Sequence, residues 1–464
     1  MGQAGLVIAS NRGPLSFTLD DEGRAVPTGS AGGLAAALYP LVEHIGATWV
    51  ACAMSEADRT AAAGDLTTDT GVSIVMVQPG RDTYRMAYDV ISNSTLWNCH
   101  HHLFDLARRP HLDDRWYEAF DAYRSLNAAF AAAVSEAAAP DATVLVQDYH
   151  LCLVPGLLRA SRPDLRVVHF THTPFADPGV WRVLPAAIGR ELLEGLTAAT
   201  ACGFHTTRWE HAFRSCCADT GVQPGHTFAT PLTLDPGALA ARAASPGPTA
   251  ARARLEELIG GRRSIVRVDR VEPSKNLLRG FWAFDDLLRH RRDLRGAVVM
   301  VARSYPSRQS LPEYLAYGTE VDFVVERLNE QWGTDDWTPV VLDVVDDTDR
   351  SVAALAMYDV LLVNPVRDGL NLVAKEGPLV NTTDGVLALS REAGAFEELR
   401  TAVLEVNPFD VTDTAKVLAE GLDMAPGERK RRAEALRALV AHRLPGAWLD
   451  DQFAAIDAAG DRAV

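Results

Sequence analysis

Short apolar runs alternate with helix-forming stretches along almost the whole chain, and no other feature restricts the fold as much. The runs are GLVIAS (5–10), ATWVACA (47–53), VSIVMVQ (72–78), TVLVQ (143–147), RVVHFT (166–171) and one near 199–204. A second set follows: RSIVRV (263–268), GAVVMVA (296–302), VVLDV (340–344), DVLLVN (359–364), GVLALS (385–390) and AVLEV (402–406). Each reads as a strand buried on both faces, which is the mark of parallel sheets covered by helices. The helical stretches between runs supply the crossovers that parallel strands need. The expected class is α/β, with two doubly wound, Rossmann-like sheets.

A chain of 464 residues is too long for one core. The Pro-, Ala- and Gly-rich segment LTLDPGALAARAASPGPTA (232–250) separates the two sets of runs and reads as the interdomain crossing. Domains are expected at 1–236 and 237–440, facing each other across a cleft, with a C-terminal helical segment, 441–464, that could pack back on the first domain.

The net charge of -16 disfavours a nucleic-acid partner, whose phosphates would be repelled, and suits a protein that binds anions only in local basic pockets. No apolar run approaches the ~18 residues of a membrane span, so no membrane partner is expected. MGQAGLVIASNRGP lacks the regions of a signal peptide, and Leu6 departs from the myristoylation pattern. The six cysteines have no Cys-x-x-Cys spacing and read as reduced core residues in a cytoplasmic protein. Of 45 basic residues only four are lysines, and two of them, Lys275 and Lys375, sit beside turn chemistry.

The candidate chemistry lies at strand ends. In NPVRDGLNLVAKEGP (364–378) a buried strand breaks at a charged turn and continues as a helix, which crowds Arg367, Asp368, Lys375 and Glu376 at a place where helix N-termini bind anions. VDRVEPSKN (268–276) puts Arg270 and Lys275 beyond another strand, and with the first motif they suggest a diphosphate clamp. VQDYHL (146–151) and HFTHTPF (169–175) offer Asp148 and His172; a Gly-x-Ser-x-Gly elbow is absent, so the hydrolase reading is weak. GSAGGLAAAL (29–38) is either an anion-binding or a packing turn. CHHHLFD (99–105) does not make a convergent metal site, because neighbouring side chains point apart, and DDTD (346–349) reads as a helix cap.

Taken in order, IASNRGP, GSAGGL, TLWNCHHHLFD, VQDYHL, HFTHTPF, GFHTTRW, RVEPSK, NPVRDGLNLVAKE and VNPFD resemble the trehalose-6-phosphate synthases, retaining glycosyltransferases of the GT-B fold, over nearly the whole length. The resemblance implies that Arg12, Tyr88 and Arg308 hold the phosphate of glucose 6-phosphate, with Trp97 and Asp148 on the acceptor sugar. It implies that Gly33 and His172 line the donor sugar, that Arg270 and Lys275 clamp the donor diphosphate, and that Asp368 contacts donor hydroxyls. Gly369, Leu370, Asn371, Leu372 and Val373 would offer backbone groups, and Glu376 would hold the ribose. The catalytic set is then Arg270, Lys275, His172 and Asp368, acting electrostatically, with no metal or other cofactor required.

The implied reaction moves glucose from a nucleoside diphosphate to glucose 6-phosphate, giving α,α-trehalose 6-phosphate. Three departures bear on the donor: VEPSKN carries Pro273, Cys52 stands where relatives have a second Trp, and VLDVVDD (341–347) is atypical near the expected base site. They put GDP-glucose slightly ahead of UDP-glucose in expectation. The alternatives are a pseudo-glycosyltransferase that couples cyclitols and a non-catalytic sugar-phosphate sensor; Arg270 and Lys275 argue against the sensor. A phosphatase domain is not expected, and a homo-oligomer is compatible with the sequence.

Overall fold

The computed structural model describes residues 3–28, 33–64 and 66–460. Its contacts divide the chain into a unit of Met1–Leu232 with Gly446–Val464 and a unit of Thr233–Pro445. The sequence drew these lines at 236/237 and 440/441. Residues 232–250 are mostly helical, in Pro236–Ala243 and Pro246–Ile259. Each of these helices begins with proline, which suits the first helical position because its missing N–H would have no partner there.

The first unit contains β1 (Ala4–Ala9), β2 (Phe17–Leu19), β3 (Ala25–Pro27), β4 (Thr48–Cys52), β5 (Leu66–Thr67), β6 (Ser73–Val77), β7 (Ala138–Gln147), β8 (Arg166–Thr171), β9 (Ala201–Phe204) and β10 (Thr227–Ala229). β2 and β3 pair as an antiparallel ribbon, and the rest form one sheet in the order β10-β9-β8-β7-β1-β4-β6-β5. All its pairings are parallel except that of β5 with β6. Chain order runs outward from β1 through β4 on one side and from β7 on the other. The crevice beyond the carboxyl ends of β1 and β7 is therefore a topological switch point, where such sheets bind ligands.

The second unit contains β11 (Arg263–Arg270), β12 (Val298–Tyr305), β13 (Val340–Val344), β14 (Val360–Val363), β15 (Val386–Ser390) and β16 (Leu404–Val406). Its sheet is parallel throughout, in the order β13-β12-β11-β14-β15-β16, and reverses between β11 and β14. Both cation-bearing motifs, 268–276 and 364–378, emerge there.

Every apolar run of the sequence is a strand. The ribbon, β5 and β10 escaped notice because two or three residues cannot display a period. The helix Ala447–Gly460 belongs to the first unit: Trp448 lies 4.9 Å from Phe170 and 5.9 Å from His172, ring to ring. Among the described residues no helix is long and apolar enough to cross a membrane.

Candidate active site

In the first unit, β1 ends in Ser10-Asn11-Arg12, and the turn is fixed from beneath. The fully buried Trp49 of β4 donates its indole N–H to Ser10 Oγ at 2.8 Å, and that hydroxyl donates to the Arg12 carbonyl at 2.6 Å. Asn11 Nδ2 donates to Tyr84 Oη at 3.1 Å, and Tyr84 stacks on Tyr88 at 5.2 Å. Tyr88 in turn stacks on His150 at 5.6 Å, while Trp97 lies 5.8 Å from Tyr149 and stacks on His101 at 3.8 Å. The segment Asp148-Tyr149-His150 thus gathers three of the acceptor candidates, Tyr88, Trp97 and Asp148, at the end of β7.

A π-helix makes this possible. Residues Met86–Leu96 wind with i→i+5 spacing, and Ser92 and Thr95 donate their hydroxyls to the carbonyls five residues back, Ala87 and Val90. Tyr88 and Trp97 are nine residues apart, about two and a half turns of an α-helix, which would send them to opposite sides. The wider turn takes more residues per revolution and brings both toward Tyr149 and His150.

Asp148 has a left-handed backbone, φ 71°, which costs an L-residue of order 1 kcal/mol or more. The conformation is held by its N–H to the Phe170 carbonyl (2.8 Å), its carbonyl to His169 Nε2 (3.2 Å) and its Oδ1 to the His172 N–H (3.1 Å). The His172 ring is also tied at both nitrogens. Leu232 N–H donates to His205 Nδ1, so neutral His205 carries its proton on Nε2 and donates to His172 Nδ1 at 3.1 Å. His172 Nε2 then donates to Gln147 Oε1 at 2.8 Å. Burial, with His205 and His169 alongside, pushes the His172 pKa well below the usual imidazole range. The ring is neutral and engaged, and the proton-shuttling form of catalysis is not what its bonding suits. Gly33 opens the helix Gly33–Val42; residues 29–32 of its glycine-rich motif lie outside the described residues.

In the second unit the loops after β11 and β14 are stitched together. Val366 N–H donates to the Ser274 carbonyl at 2.9 Å, and Asn276 Nδ2 reaches the Asn364 carbonyl at 3.0 Å. Beneath them lies the fully buried Arg267, paired with Asp269 at 2.9 Å and donating to the Lys275 carbonyl at 3.1 Å. Gly280 leaves room for it: a Cβ there would fall 2.1 Å from Arg267 Nη1.

On this base Lys275 Nζ stands 2.5 Å from Asp368 Oδ2, which also accepts from Asn371 Nδ2 at 3.2 Å. Asn276, Arg308 and Asn371 all have left-handed backbones, at φ 60°, 42° and 74°. Asparagine adopts this conformation readily, so among the three only Arg308 carries appreciable backbone strain. Glu376 is half-buried, and its carboxylate accepts no hydrogen bond among the described residues. Desolvation raises its pKa to about 7. Lys375 does not join this group; it is buried and pairs with Glu398 at 2.8 Å, so its charge is neutralised within the protein.

The arrangement offers two cations and a carboxylate beyond β11 and β14, a second carboxylate on the helix Val373–Val380, and the Gly369–Val373 backbone between them. A family model for glycosyltransferase family 20 matches residues 4–458. The chain belongs to glycosyltransferase family 20. It is similar to the trehalose-6-phosphate synthase of Mycolicibacterium smegmatis, with 31% identity over 99% of this chain and 94% of that one. Among solved structures it resembles one from E. coli bound with UDP-2-fluoro glucose (26% identity, TM-score 0.84, covering 97% of this chain and 98% of the other). It also resembles a UDP-forming α,α-trehalose-phosphate synthase from Burkholderia xenovorans in complex with glucose-6-phosphate (27% identity, TM-score 0.83, covering 97% and 100%).

Within this family member, sequence reasoning passed over two residues that shape the second-unit site. Glu272 sits inside the quoted VEPSK motif, and an acid between two cations was the available signal. Gly394 gave none. The Asp368 N–H donates to the Glu392 carbonyl at 3.1 Å and Gly394 N–H to the Asp368 carbonyl at 3.0 Å, so Gly394 braces the loop where a Cβ would lie 1.9 Å from the Gly369 oxygen.

Proposed function

We propose that this glycosyltransferase transfers glucose from UDP-glucose to glucose 6-phosphate with retention of configuration, forming α,α-trehalose 6-phosphate and UDP. The observation that carries the reading is the gathering of Arg270, Lys275, Asp368 and Glu376 at the switch point of the second sheet, in a chain of this family. Arg270 and Lys275 contact the diphosphate, Asp368 the glucose hydroxyls and Glu376 the ribose. Arg12, Tyr88 and Arg308 hold the phosphate of the acceptor, with Trp97 and Asp148 on its sugar.

In the chemical step the bond from glucose C1 to the β-phosphate oxygen breaks and a bond to O1 of glucose 6-phosphate forms on the same face. The acceptor proton passes to the departing phosphate. Charge grows on that phosphate as the bond breaks, so cations already fixed beside it lower the barrier without a covalent intermediate. His172, with both ring nitrogens engaged, serves as a wall of the donor site.

The donor expectation changes. Several relatives are UDP-forming by name, among them the Burkholderia xenovorans protein and one from Dictyostelium discoideum, and these names do not support GDP-glucose. The atypical segment 341–347 that prompted GDP-glucose has a local explanation. Asp343 pairs with Arg303 at 2.5 Å and Arg350 at 2.8 Å, and Asp347 caps the helix Thr348–Leu355.

The test is incubation of the purified protein with glucose 6-phosphate and either UDP-glucose or GDP-glucose, without added metal, measuring nucleotide release and trehalose 6-phosphate. Faster turnover with UDP-glucose is expected. Preference for GDP-glucose would overturn the donor, and absence of product with both would overturn the activity.

A further inference from the structure

Glu272 has no exposed surface, yet it is surrounded by cations. Burial alone would raise its carboxyl pKa, but Arg270, Arg308 and Lys275 together hold it down to about 2. Its two oxygens divide their partners evenly. Oε1 accepts from Ser274 Oγ at 2.8 Å and lies 3.1 Å from Arg270 Nη2. Oε2 accepts from Ser307 Oγ at 3.1 Å and from Arg308 Nη1 at 2.8 Å. Arg270 and Ser274 belong to the end of β11 and its loop, whereas Ser307 and Arg308 follow β12.

We propose that Glu272 is a positioning residue that sets the spacing of Arg270 and Arg308 before either substrate arrives, so that one carboxylate aligns a donor-diphosphate cation with an acceptor-phosphate cation. This rests on the roles given to the two arginines above. Guanidinium groups on adjacent loops repel each other and have many rotamers, and Arg270 in particular is partly exposed, with 43% of its side-chain surface open. A shared buried counterion removes both sources of disorder, which lowers the cost of ordering them when substrate binds. The hydroxyls of Ser274 and Ser307 keep the carboxylate from rotating toward one arginine at the expense of the other.

Glu272→Gln preserves shape but removes the negative charge that both guanidinium groups face and leaves one acceptor oxygen in place of two, so both arginines lose their shared counterion. KM for UDP-glucose and for glucose 6-phosphate should both rise about tenfold, the scale of a lost charged hydrogen bond. Glu272→Asp, which keeps the charge with a shorter reach, should be intermediate, and Arg308→Lys should raise only the glucose 6-phosphate KM. A lower thermal midpoint or kcat with both KM values unchanged would make Glu272 a brace of the loop and overturn the positioning role. A fall in either KM, the response of a pocket made simply more positive, would overturn it as well.

If Glu272→Gln does not fold, the Ser274→Ala/Ser307→Ala double variant keeps the charge and removes the hydroxyls. A rise in both KM values supports positioning and unchanged values defeat it. Absence of turnover in the unsubstituted protein would defeat instead the reading of the substrates on which the inference stands.

Discussion

Lys275 Nζ lies 2.5 Å from Asp368 Oδ2, so the protein holds this lysine against a carboxylate of the neighbouring strand-end loop. The pair is not a surface ornament: their side chains are 15% and 12% exposed. On the proposed function, an arriving diphosphate competes with Asp368 for the ammonium, while the sugar hydroxyls take the lysine's place on the carboxylate. Lys275→Ala should lower kcat by about 10²–10³, the cost of one preorganised charge-stabilising donor. Because Asn371 still donates to Asp368, the loss of stability should stay within about 1–3 kcal/mol. Activity and the thermal midpoint measured on the same preparation check this, and an unchanged kcat removes Lys275 from the clamp.

Gly394 makes a second, purely steric prediction. A Cβ at 1.9 Å from the Gly369 oxygen and 3.0 Å from Leu370 Cα meets backbone on both counts, so the loop carrying Asp368 must move. Gly394→Ala should reduce kcat/KM for UDP-glucose by about 10²-fold, as ångström-scale misplacement of a substrate does. Gly318→Ala, where the nearest atom would be Val271 Cγ1 at 3.8 Å, should leave activity intact and is the control. Equal effects of the two substitutions would show that the loop tolerates displacement.

The sequence made the sheets legible because burial on both faces writes each strand as a continuous apolar run, and the switch points follow from their order. It also placed Asp148, Asp368, Arg270 and Lys275 at or just beyond strand ends, where the structure has them. What it concealed depends on contacts between distant segments. The ties from His172 to His205 and Gln147 cannot be read from HFTHTPF, and nothing in the letters shows the π-helix that turns Tyr88 and Trp97 toward the same segment. Lys375 was misjudged for the same reason: its partner, Glu398, lies 23 residues away in the chain. Glu272 was visible as a letter but not as the carboxylate that two arginines share.

All six cysteines are buried and unpaired with one another as disulfides. Desolvation pushes the thiols of Cys52, Cys152 and Cys217 up to about 12 and those of Cys202 and Cys216 further still. Reaction requires a thiolate that can reach solvent, so the folded protein should react with an aromatic disulfide reagent far more slowly than the protein in guanidinium. Rapid labelling of the native protein, followed by peptide mapping, would show which of these thiols is open to solvent.

If Glu376 holds the ribose, as proposed, donor binding acquires a pH dependence whose sign is fixed. Burial raises its folded-state pKa from 4.5 to about 7, and Tyr305 at the end of β12 feels its charge. Ribose hydroxyls donating to this carboxylate favour the ionised form, so binding lowers the pKa and releases a proton wherever the free protein holds one. Affinity for UDP-glucose should therefore be full above pH 7 and fall as pH drops through it, by about tenfold between pH 8 and 6 if the bound pKa is below 5. UDP-glucose is the right probe because its two phosphates stay ionised over this range, whereas the terminal phosphate of UDP does not. Calorimetric titration at the two pH values, in buffers of different ionisation enthalpy, reads both the affinity and the proton release. Glu376→Gln should bind more weakly at pH 8 and with little dependence on pH; if it keeps the full slope, another group is titrating and Glu376 does not hold the ribose.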